Sequence, residues 1–179
     1  MSFLRPLGWQ VTGGWQLLGI GTALSGAPFT VYSGIQQTGV GSAGADRPDE
    51  TGKPELSTGR KVREDYFGLG ANNASYFSIP IDVPHGTGPN QGRFGALSRN
   101  TFRGPAFRDL DLALIKDTPI LERKGGELAS VQSRAEFFNI FNTVNFGLPS
   151  NILLGPGFGE ISHTAGPSRQ IQFSLKLIY

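Results

Sequence analysis

The sequence predicts an all-β fold of about five antiparallel strands, and composition and periodicity are the two observations behind this prediction. Its 179 residues include 26 Gly, 12 Pro and 13 Phe but a single Met. Such a composition suits strands joined by many turns and disfavours long packed helices. The segments 109–115, 128–141 and 171–179 alternate apolar and polar side chains. This alternation is the period of a strand with one apolar face.

The first two strands are predicted near the start of the chain. Trp15–Ser25 is rich in Gly and is interrupted by polar residues. It therefore fits a strand better than a membrane helix, which needs about 18 or more apolar residues in a row. The small residues and the proline of Ser25–Pro28 indicate a tight turn. A shorter strand, Pro28–Ser33, is predicted after that turn.

The third and fourth strands are predicted at Asp109–Ile115 and Leu128–Phe141. Propensity also allows a helix over Glu127–Phe138, but the alternation and the neighbouring strands favour a strand there. Period-two geometry then separates two faces of the sheet. The predicted apolar face carries Leu110, Leu112 and Leu114, and the predicted polar face carries Asp111, Arg134 and Glu136.

The last strand has the clearest pattern in the chain. Its even positions include Gln172, Ser174 and Lys176, while its odd positions are large and apolar. We expect the apolar row to share a face with the leucines of the third strand, and Ser174 and Lys176 to share the opposite face with Arg134 and Glu136. The apolar row consists of Ile171, Phe173, Leu175, Leu177 and Tyr179.

The connections between the predicted strands alternate in length. Ser25–Pro28 and Asp117–Gly126 are short, whereas Gly34–Arg108 and Asn142–Ser168 are long. Outer-membrane barrels show this asymmetry, with short periplasmic turns and longer extracellular loops. We therefore expect an antiparallel membrane β-barrel segment in which residues 34–108 form one very long extracellular loop. Since the smallest usual barrels have about eight strands, five are expected to be an incomplete barrel on their own.

Charge and composition argue against several other functions. The chain has 16 basic and 14 acidic residues, a formal net charge of +2, which is too small to predict nucleic-acid binding. It contains no Cys, so disulfides and thiolate chemistry are excluded. No catalytic or phosphate-binding spacing is present in the sequence, and we expect no enzyme activity, no cofactor and no metal site.

Three weaker motifs have simpler interpretations. Gly39–Gly44 has the spacing G-x-G-x-x-G but lacks the flanking strand and helix of a dinucleotide site, so we expect a flexible outside loop. The acidic cluster at 46–50 matches no calcium-binding loop, so we expect a solvated charged loop. His85 and His163 lie far apart in the sequence, which disfavours a metal pair.

Four stretches, taken together, resemble the end of Oar-like TonB-dependent transporters. The resemblance covers essentially the whole chain, and it implies a barrel of about 22 strands plugged by an N-terminal domain. Such a protein imports scarce ligands with energy from the inner membrane. In chain order the stretches are Gly14–Leu17 with Ser25–Thr30, Ser98–Pro105, Arg134–Asn142 and Arg169–Tyr179.

The resemblance also implies partners and a location. The strands would contact outer-membrane lipid, the remaining barrel strands and the plug. TonB would be contacted through upstream segments, where an export signal and the plug are expected. Residues 1–179 are thus expected to be the C-terminal part of a transporter barrel in the outer membrane, which does not transport alone.

The last strand resembles the signal by which the barrel-assembly machinery recognises its substrates, because it is amphipathic and its final residue is the aromatic Tyr179. The alternative is an ordinary edge strand of a soluble sheet. Inside a barrel, Asp111, Arg134 and Glu136 would face the lumen, with Arg134 and Glu136 forming an ion pair. The aromatic residues expected at the two membrane surfaces are Trp9, Trp15, Phe137, Phe141, Phe146 and Tyr179.

The alternative to a membrane barrel is a soluble or secreted β-sandwich that binds a partner or a sugar through residues 34–108. The two folds differ in the surroundings of their apolar faces. In a barrel these faces form a continuous band against lipid, whereas in a sandwich they pack on each other.

Overall fold

The computed structural model describes residues 12–36, 38–39, 46–57, 62–68, 76–80, 92–123 and 126–179. The elements whose bounds the structure describes are all β-strands, which confirms the all-β class. No helix in the described ranges is long and apolar enough to cross a membrane. The strands are β1 (Trp15–Leu24), β2 (Pro28–Phe29), β3 (Asp49–Glu50), β4 (Phe77–Ser78), β5 (Phe102–Arg103), β6 (Phe107–Arg123), β7 (Gly126–Phe138) and β8 (Gln170–Ile178).

The chain forms two compact units, each built from separate segments. The sheet unit comprises Met1–Ala23, Arg108–Val144 and Pro167–Tyr179, and the aromatic unit comprises Leu24–Phe107 and Asn145–Gly166. The predicted outside region, 34–108, lies in the aromatic unit except for Arg108. The structure extends that region to Leu24 and adds the segment 145–166, which had been predicted as a separate long connection.

The sheet unit contains one four-stranded sheet in the order β1-β6-β7-β8. β6 and β7 form an antiparallel pair in which Leu112 lies opposite Phe137 and Lys116 lies opposite Ser133. β7 and β8 pair antiparallel over the full length of β8, from Ser130↔Ile178 to Phe138↔Gln170. The strand reading of 127–138 is therefore confirmed, and the helix alternative is wrong.

β6 is longer than predicted, and most of the predicted turn at Asp117–Gly126 is strand. The strand continues to Arg123, with register shifts between Pro119 and Leu121 and between Leu121 and Glu122. A proline donates no ladder hydrogen bond but is tolerated beside a bulge, where pairing is already irregular. The sequence Asp117-Thr118-Pro119 resembles a turn, but the pairing partner on β7 holds it in a strand.

The second predicted strand, Pro28–Ser33, does not belong to the four-stranded sheet. Its strand part is reduced to Pro28–Phe29, which pairs with β5 through Phe29↔Phe102. β1 is instead followed in the sheet by β6, so Ser25–Pro28 is not a hairpin between sheet strands. The reason is burial, since Phe29 and Val31 are 5% and 0% exposed in the core of the aromatic unit.

The aromatic unit has little regular structure, yet it has a true core. Phe67 is completely buried; its ring stacks on Phe158 with centroids 4.9 Å apart and meets Phe77 and Phe102 edge-on. Such tilted and offset ring pairs add stabilisation beyond the area they bury. The buried core consists of Phe29, Val31, Tyr66, Phe67, Phe77, Leu97, Phe102, Phe158 and Ile161.

Two very short sheets hold this core in place. β2 pairs with β5, and β3 pairs with β4 through Asp49↔Ser78 and Glu50↔Phe77. The Tyr66 hydroxyl donates to the Arg103 carbonyl oxygen at 2.5 Å, which ties the core to β5. The core rings come from segments far apart in the sequence, so no short-range period reveals them.

Candidate functional site

The register divides β6, β7 and β8 into two chemically different faces, because directly opposed residues of antiparallel strands lie on the same face. One row runs from Leu112 to Phe137 to Ile171, and the next from Leu114 to Ala135 to Phe173. We call this side the apolar face. From β6, β7 and β8 it carries Leu112, Leu114, Lys116, Thr118, Val131, Ser133, Ala135, Phe137, Ile171, Phe173, Leu175 and Leu177.

β1 extends the apolar face by one more strand. A Cβ on Gly19 would lie 3.0 Å from Leu112 Cδ2, and one on Gly21 would lie 3.6 Å from Leu110 Cδ1. Alternation along β1 then places Trp15 on the same face. The Lys116 ammonium lies 5.3 Å from the Trp15 ring centroid, in agreement with this placement.

Within the described part of the chain, the apolar face is uncovered. Phe173 is 79% exposed, Leu175 74% and Leu177 58%. Water-facing sheets do not keep an extended row of such residues uncovered, and a large exposed apolar surface marks contact with a protein or a membrane. The predicted sharing of a face by the leucines of β6 and the odd residues of β8 is therefore confirmed.

The opposite side, which we call the polar face, carries the predicted charged residues. Arg134 lies opposite Ile115 and Ser174, which places it on this face, whereas Leu112 lies on the apolar face. Asp111 and Glu136 fall on the same side by alternation. The register thus places the predicted polar set together. In sequence order the set is Asp111, Arg134, Glu136, Ser174 and Lys176.

Arg134 and Glu136 form the ion pair expected from their spacing on β7. Arg134 Nη2 lies 2.7 Å from Glu136 Oε1, and the two side chains are 38% and 25% exposed. A pair this accessible contributes little to stability. In the part of the chain that the structure describes, the buried Arg134 Nε has no hydrogen-bond partner.

Asp117 joins three strands on the polar face, a role that its turn-like sequence context does not predict. Its carboxylate accepts hydrogen bonds from Gln16 Nε2 on β1 at 3.1 Å and from Gln132 Nε2 on β7 at 2.8 Å. Gln132 in turn lies opposite Lys176 on β8. This row fixes the register of β1, β6 and β7. The signal was hidden because Asp117 appeared to begin a turn.

Asn139 closes the end of β7 and was also missed as a key residue. It is 3% exposed and has a left-handed φ of 49°, a conformation that Asn tolerates better than most residues. Its Nδ2 donates to the Thr143 and Pro167 carbonyl oxygens, and its Oδ1 accepts from the Thr143 amide. The Asn139 amide donates to Asp111 Oδ1 at 2.9 Å. The turn thereby links β6, β7 and the approach to β8.

The predicted membrane-surface aromatics divide into three groups. Trp15, Phe137 and the 75%-exposed Phe141 belong to the sheet unit, and Tyr179 follows β8 with 98% exposure. Phe146 was wrongly predicted, because it is partly buried against the core of the aromatic unit. Trp9 lies outside the described residues.

The acidic cluster at 46–50 is not a solvated loop, contrary to the prediction. Asp46 is completely buried and accepts hydrogen bonds from the Thr38 amide and hydroxyl at 3.0 and 2.6 Å. Asp49 is held by Arg93 through two hydrogen bonds of 3.0 and 2.7 Å. These carboxylates organise the aromatic unit because backbone and guanidinium donors converge on them.

The Arg93 guanidinium also controls the ionisation of Asp49. Its hydrogen bonds hold the pKa of the Asp49 carboxyl below the ordinary value of 3.8, partial burial opposes this, and the Ala96 amide adds to the lowering. Burial raises the pKa of the Tyr66 phenol. Both groups lie in the aromatic unit.

The weaker motifs lie only partly within the described residues. Among the described residues, no three His, Asp or Glu side chains converge as a metal site requires. The His163 ring lies against Gly147, and His85 lies outside the described residues. Gly39 has a left-handed φ of 74°, while positions 40–44 of the glycine motif also lie outside the described residues.

Comparison with known proteins identifies the family of the chain. Neither the curated proteins nor the solved structures contain a match to it. The family model described as Outer membrane beta barrel domain matches residues 2–172, which is nearly the whole chain. An antiparallel sheet with one uncovered apolar face and one hydrogen-bonded polar face is what such a wall requires. The chain therefore belongs to the outer membrane beta-barrel domain family.

Proposed function

We propose that the chain forms part of the barrel wall of an Oar-like TonB-dependent transporter and has no enzyme activity. The observation that carries the proposal is the two-faced sheet, whose apolar face suits lipid and whose polar face suits a lumen. The β-sandwich alternative is disfavoured because a sandwich covers its apolar faces, whereas Phe173 is 79% exposed.

The four resembling stretches support the finer assignment, because they pair in space. Arg134–Asn142 contains most of the β7 half of the β7–β8 pairing, and Arg169–Tyr179 contains β8. Ser25–Thr30 and Ser98–Pro105 meet through Phe29↔Phe102. Gly26 approaches the Gly104 carbonyl so closely that a Cβ would collide with it. The resemblance thus lies in residues that depend on each other.

The connections give the proposed orientation. β6 and β7 are joined by the short connection between Arg123 and Gly126, while β1–β6 and β7–β8 are joined by long segments. Barrels place short turns on the periplasmic side and long loops outside. The aromatic unit, which is built from the two long segments, is then extracellular, and Trp15 and Tyr179 lie near the periplasmic surface.

The two faces then have different partners in the proposal. The apolar face contacts outer-membrane lipid, and the edges β1 and β8 pair with the remaining strands of the barrel. The polar face, with Asp111, Arg134 and Glu136, faces the lumen and the plug. The buried Arg134 Nε, which has no acceptor in the described chain, is suited to an acceptor on the plug. TonB is reached through the plug and not through this sheet.

The transport proposal is tested by depletion of the medium. Cells carrying the intact parent protein are grown beside cells lacking it, each with and without TonB, and the medium is analysed by mass spectrometry. We expect at least one compound to be removed when both proteins are present and to remain when either is missing. Removal that is independent of TonB would indicate a passive pore and contradict the proposal.

A second part of the proposal is that β8 is recognised by the barrel-assembly machinery. Its support is the alternating pattern of Gln170–Ile178 at an edge of the sheet, followed by the exposed ring of Tyr179. We expect Tyr179→Ala to lower the amount of heat-modifiable barrel on a gel more than ligand binding per folded molecule. Normal assembly with reduced binding would show that Tyr179 serves the ligand instead.

A further inference from the structure

The apolar face contains a groove that runs along β7. Its floor is formed by two small residues. Ser133 lies between Lys116 of β6 and Leu175 of β8, and Ala135 lies between Leu114 of β6 and Phe173 of β8. Since neighbouring strands are about 4.8 Å apart, the two flanking rows stand roughly 10 Å apart. The space between them is a groove of about 560 Å³. That volume lies in the range of ligand pockets.

Lys116 places a positive charge at one end of this groove. It lies in the row Lys116–Ser133–Leu175 of the apolar face. A lysine facing lipid at the bilayer midplane costs about 2–4 kcal/mol, so its position requires a nearby membrane surface or an anion. Its ammonium donates to the Gly13 carbonyl oxygen and lies over the Trp15 ring.

The chemistry of the lining indicates the ligand. Leu114, Phe173 and Leu175 offer apolar walls, while the ammonium has three donors, of which the Gly13 carbonyl takes one. Ser133, directly opposite Lys116, adds a hydroxyl. An apolar channel that ends at a cation and a hydroxyl fits an acyl chain attached to a phosphate. Tryptophan and lysine are also the side chains that mark a membrane–water boundary.

We propose that this groove binds one phospholipid of the periplasmic leaflet, with an acyl chain along Ser133 and Ala135 and the phosphate paired with Lys116. The periplasmic choice follows from the direction of β1, which starts beside Asp117 and passes Leu110 at Gly21. Gly13 and Trp15 therefore lie toward the end of the sheet that carries the short β6–β7 connection. The inference rests on the family membership and on the orientation proposed above, but it does not depend on transport.

The test is native mass spectrometry of the intact purified barrel, titrated with phosphatidylglycerol and, separately, with diacylglycerol of the same chains. We expect one phosphatidylglycerol to remain bound, with an affinity at least tenfold higher than that of diacylglycerol. Lys116→Gln should remove this preference. The matched control is Lys176→Gln, which deletes a lysine from the polar face one row away and should leave the preference unchanged.

A second variant keeps the charge and fills the groove. Ala135→Leu should lower the affinity for both lipids while heat-modifiable migration shows a folded barrel, and it decides the matter if Lys116→Gln fails to assemble. Equal lipid retention in the parent protein and in these groove variants would overturn the proposal, as would an equal loss in Lys176→Gln. Stronger binding of lipid A than of phosphatidylglycerol would overturn the periplasmic placement. If the purified native barrel shows the expected lipid preference but cells carrying it show no TonB-dependent uptake, only the transport function is contradicted.

Discussion

Phe173 in the sheet unit and Phe67 in the aromatic unit are the same residue type in opposite surroundings. Phe173 projects from β8 with 79% of its surface exposed, whereas Phe67 is fully enclosed by other rings. Phe173 lies in a regular edge strand that pairs with β7, whereas Phe67 lies in an irregular segment. The apolar side chains of the sheet find their contacts outside the chain, in the surrounding lipid, while those of the aromatic unit are buried by other residues of the same chain.

This difference shows where each unit obtains its stability. In the sheet, the backbone ladder and polar rows such as Gln16–Asp117–Gln132 set the structure, and lipid supplies the apolar contact. In the aromatic unit, burial of rings replaces the ladder, since its sheets are two residues long. A mutation should therefore destabilise one unit and leave the other intact, depending on whether it removes ring burial or a contribution to the sheet.

The largest expected effect is in the aromatic core. Phe67→Ala removes a ring in contact with Phe158, Phe77 and Phe102 and should cost about 3–5 kcal/mol. Hydrogen exchange should accelerate in segments 28–33, 62–68 and 97–103, while heat-modifiable migration of the barrel persists. The control is Leu154→Ala, at a residue that is 61% exposed in the same unit, with little expected change. Loss of the barrel in Phe67→Ala would show that the units do not fold separately.

The next effect tests the two faces of the sheet. Phe173→Arg places a charge on the apolar face and should destabilise the folded barrel by about 2–4 kcal/mol if the site lies near the midplane. The neighbouring Gln172→Arg places the same charge on the polar face, opposite Glu136, and should be nearly neutral. Guanidinium unfolding of the intact barrel in lipid vesicles measures both variants. Equal destabilisation would contradict the assignment of faces.

A smaller effect is expected where β7 ends. Asn139→Ala removes the hydrogen bonds to Thr143 and Pro167 from a buried position, at a cost of roughly 1–3 kcal/mol. Asn139→Gly removes the same bonds but accepts the left-handed backbone without strain. Unfolding in vesicles should therefore rank the native protein first, Gly second and Ala last. If Gly matches the native protein, the residue serves its backbone conformation alone.

The smallest effect is the pH dependence of Asp49. Because Arg93 lowers the folded pKa of this carboxyl, its stabilisation is fully present above the unfolded value of about 3.9 and is lost as the pH falls through the folded value. Both side chains are partly exposed, so a few tenths of a kcal/mol are expected. Hydrogen exchange of the Ala96 amide should report a stability difference between the native protein and Asp49→Asn that is constant above pH 5 and shrinks below pH 4. A difference that grows on acidification would contradict the sign.

The sheet could largely be predicted from the sequence because its information is local. Alternation in 109–115, 128–138 and 171–178 predicted the three paired strands and both faces, and these agree with the register. The prediction was wrong at 139–141, where the chain leaves the ladder and forms the turn after β7. The errors arose where pairing overrides local preference. Asp117-Thr118-Pro119 has turn propensity but is strand, because β7 supplies partners and the irregularity after Pro119 accommodates the ring.

The aromatic unit could not be predicted in the same way. Phe29, Phe67, Phe77, Phe102 and Phe158 each come from a different segment, so a window of neighbouring residues shows no period. The charges at Asp46 and Asp49 resembled solvent-exposed residues because their donors, Thr38 and Arg93, are eight or more positions away. The groove and Lys116 were hidden for a related reason, since cross-strand neighbours are defined by register and not by sequence distance.

The aromatic unit is interrupted along the chain, and this imposes an order on folding. Its first segment ends at Phe107, and its second, which supplies Phe158, begins at Asn145. Between them the chain must complete β6 and β7. During synthesis and export, the stacking partner of Phe67 therefore appears only after this hairpin. Phe29, Phe77 and Phe102 can pack on Phe67 before that hairpin appears, but the surface of Phe67 that stacks on Phe158 stays uncovered in the interval. A holding chaperone should therefore be needed most between the appearance of residue 107 and that of residue 158.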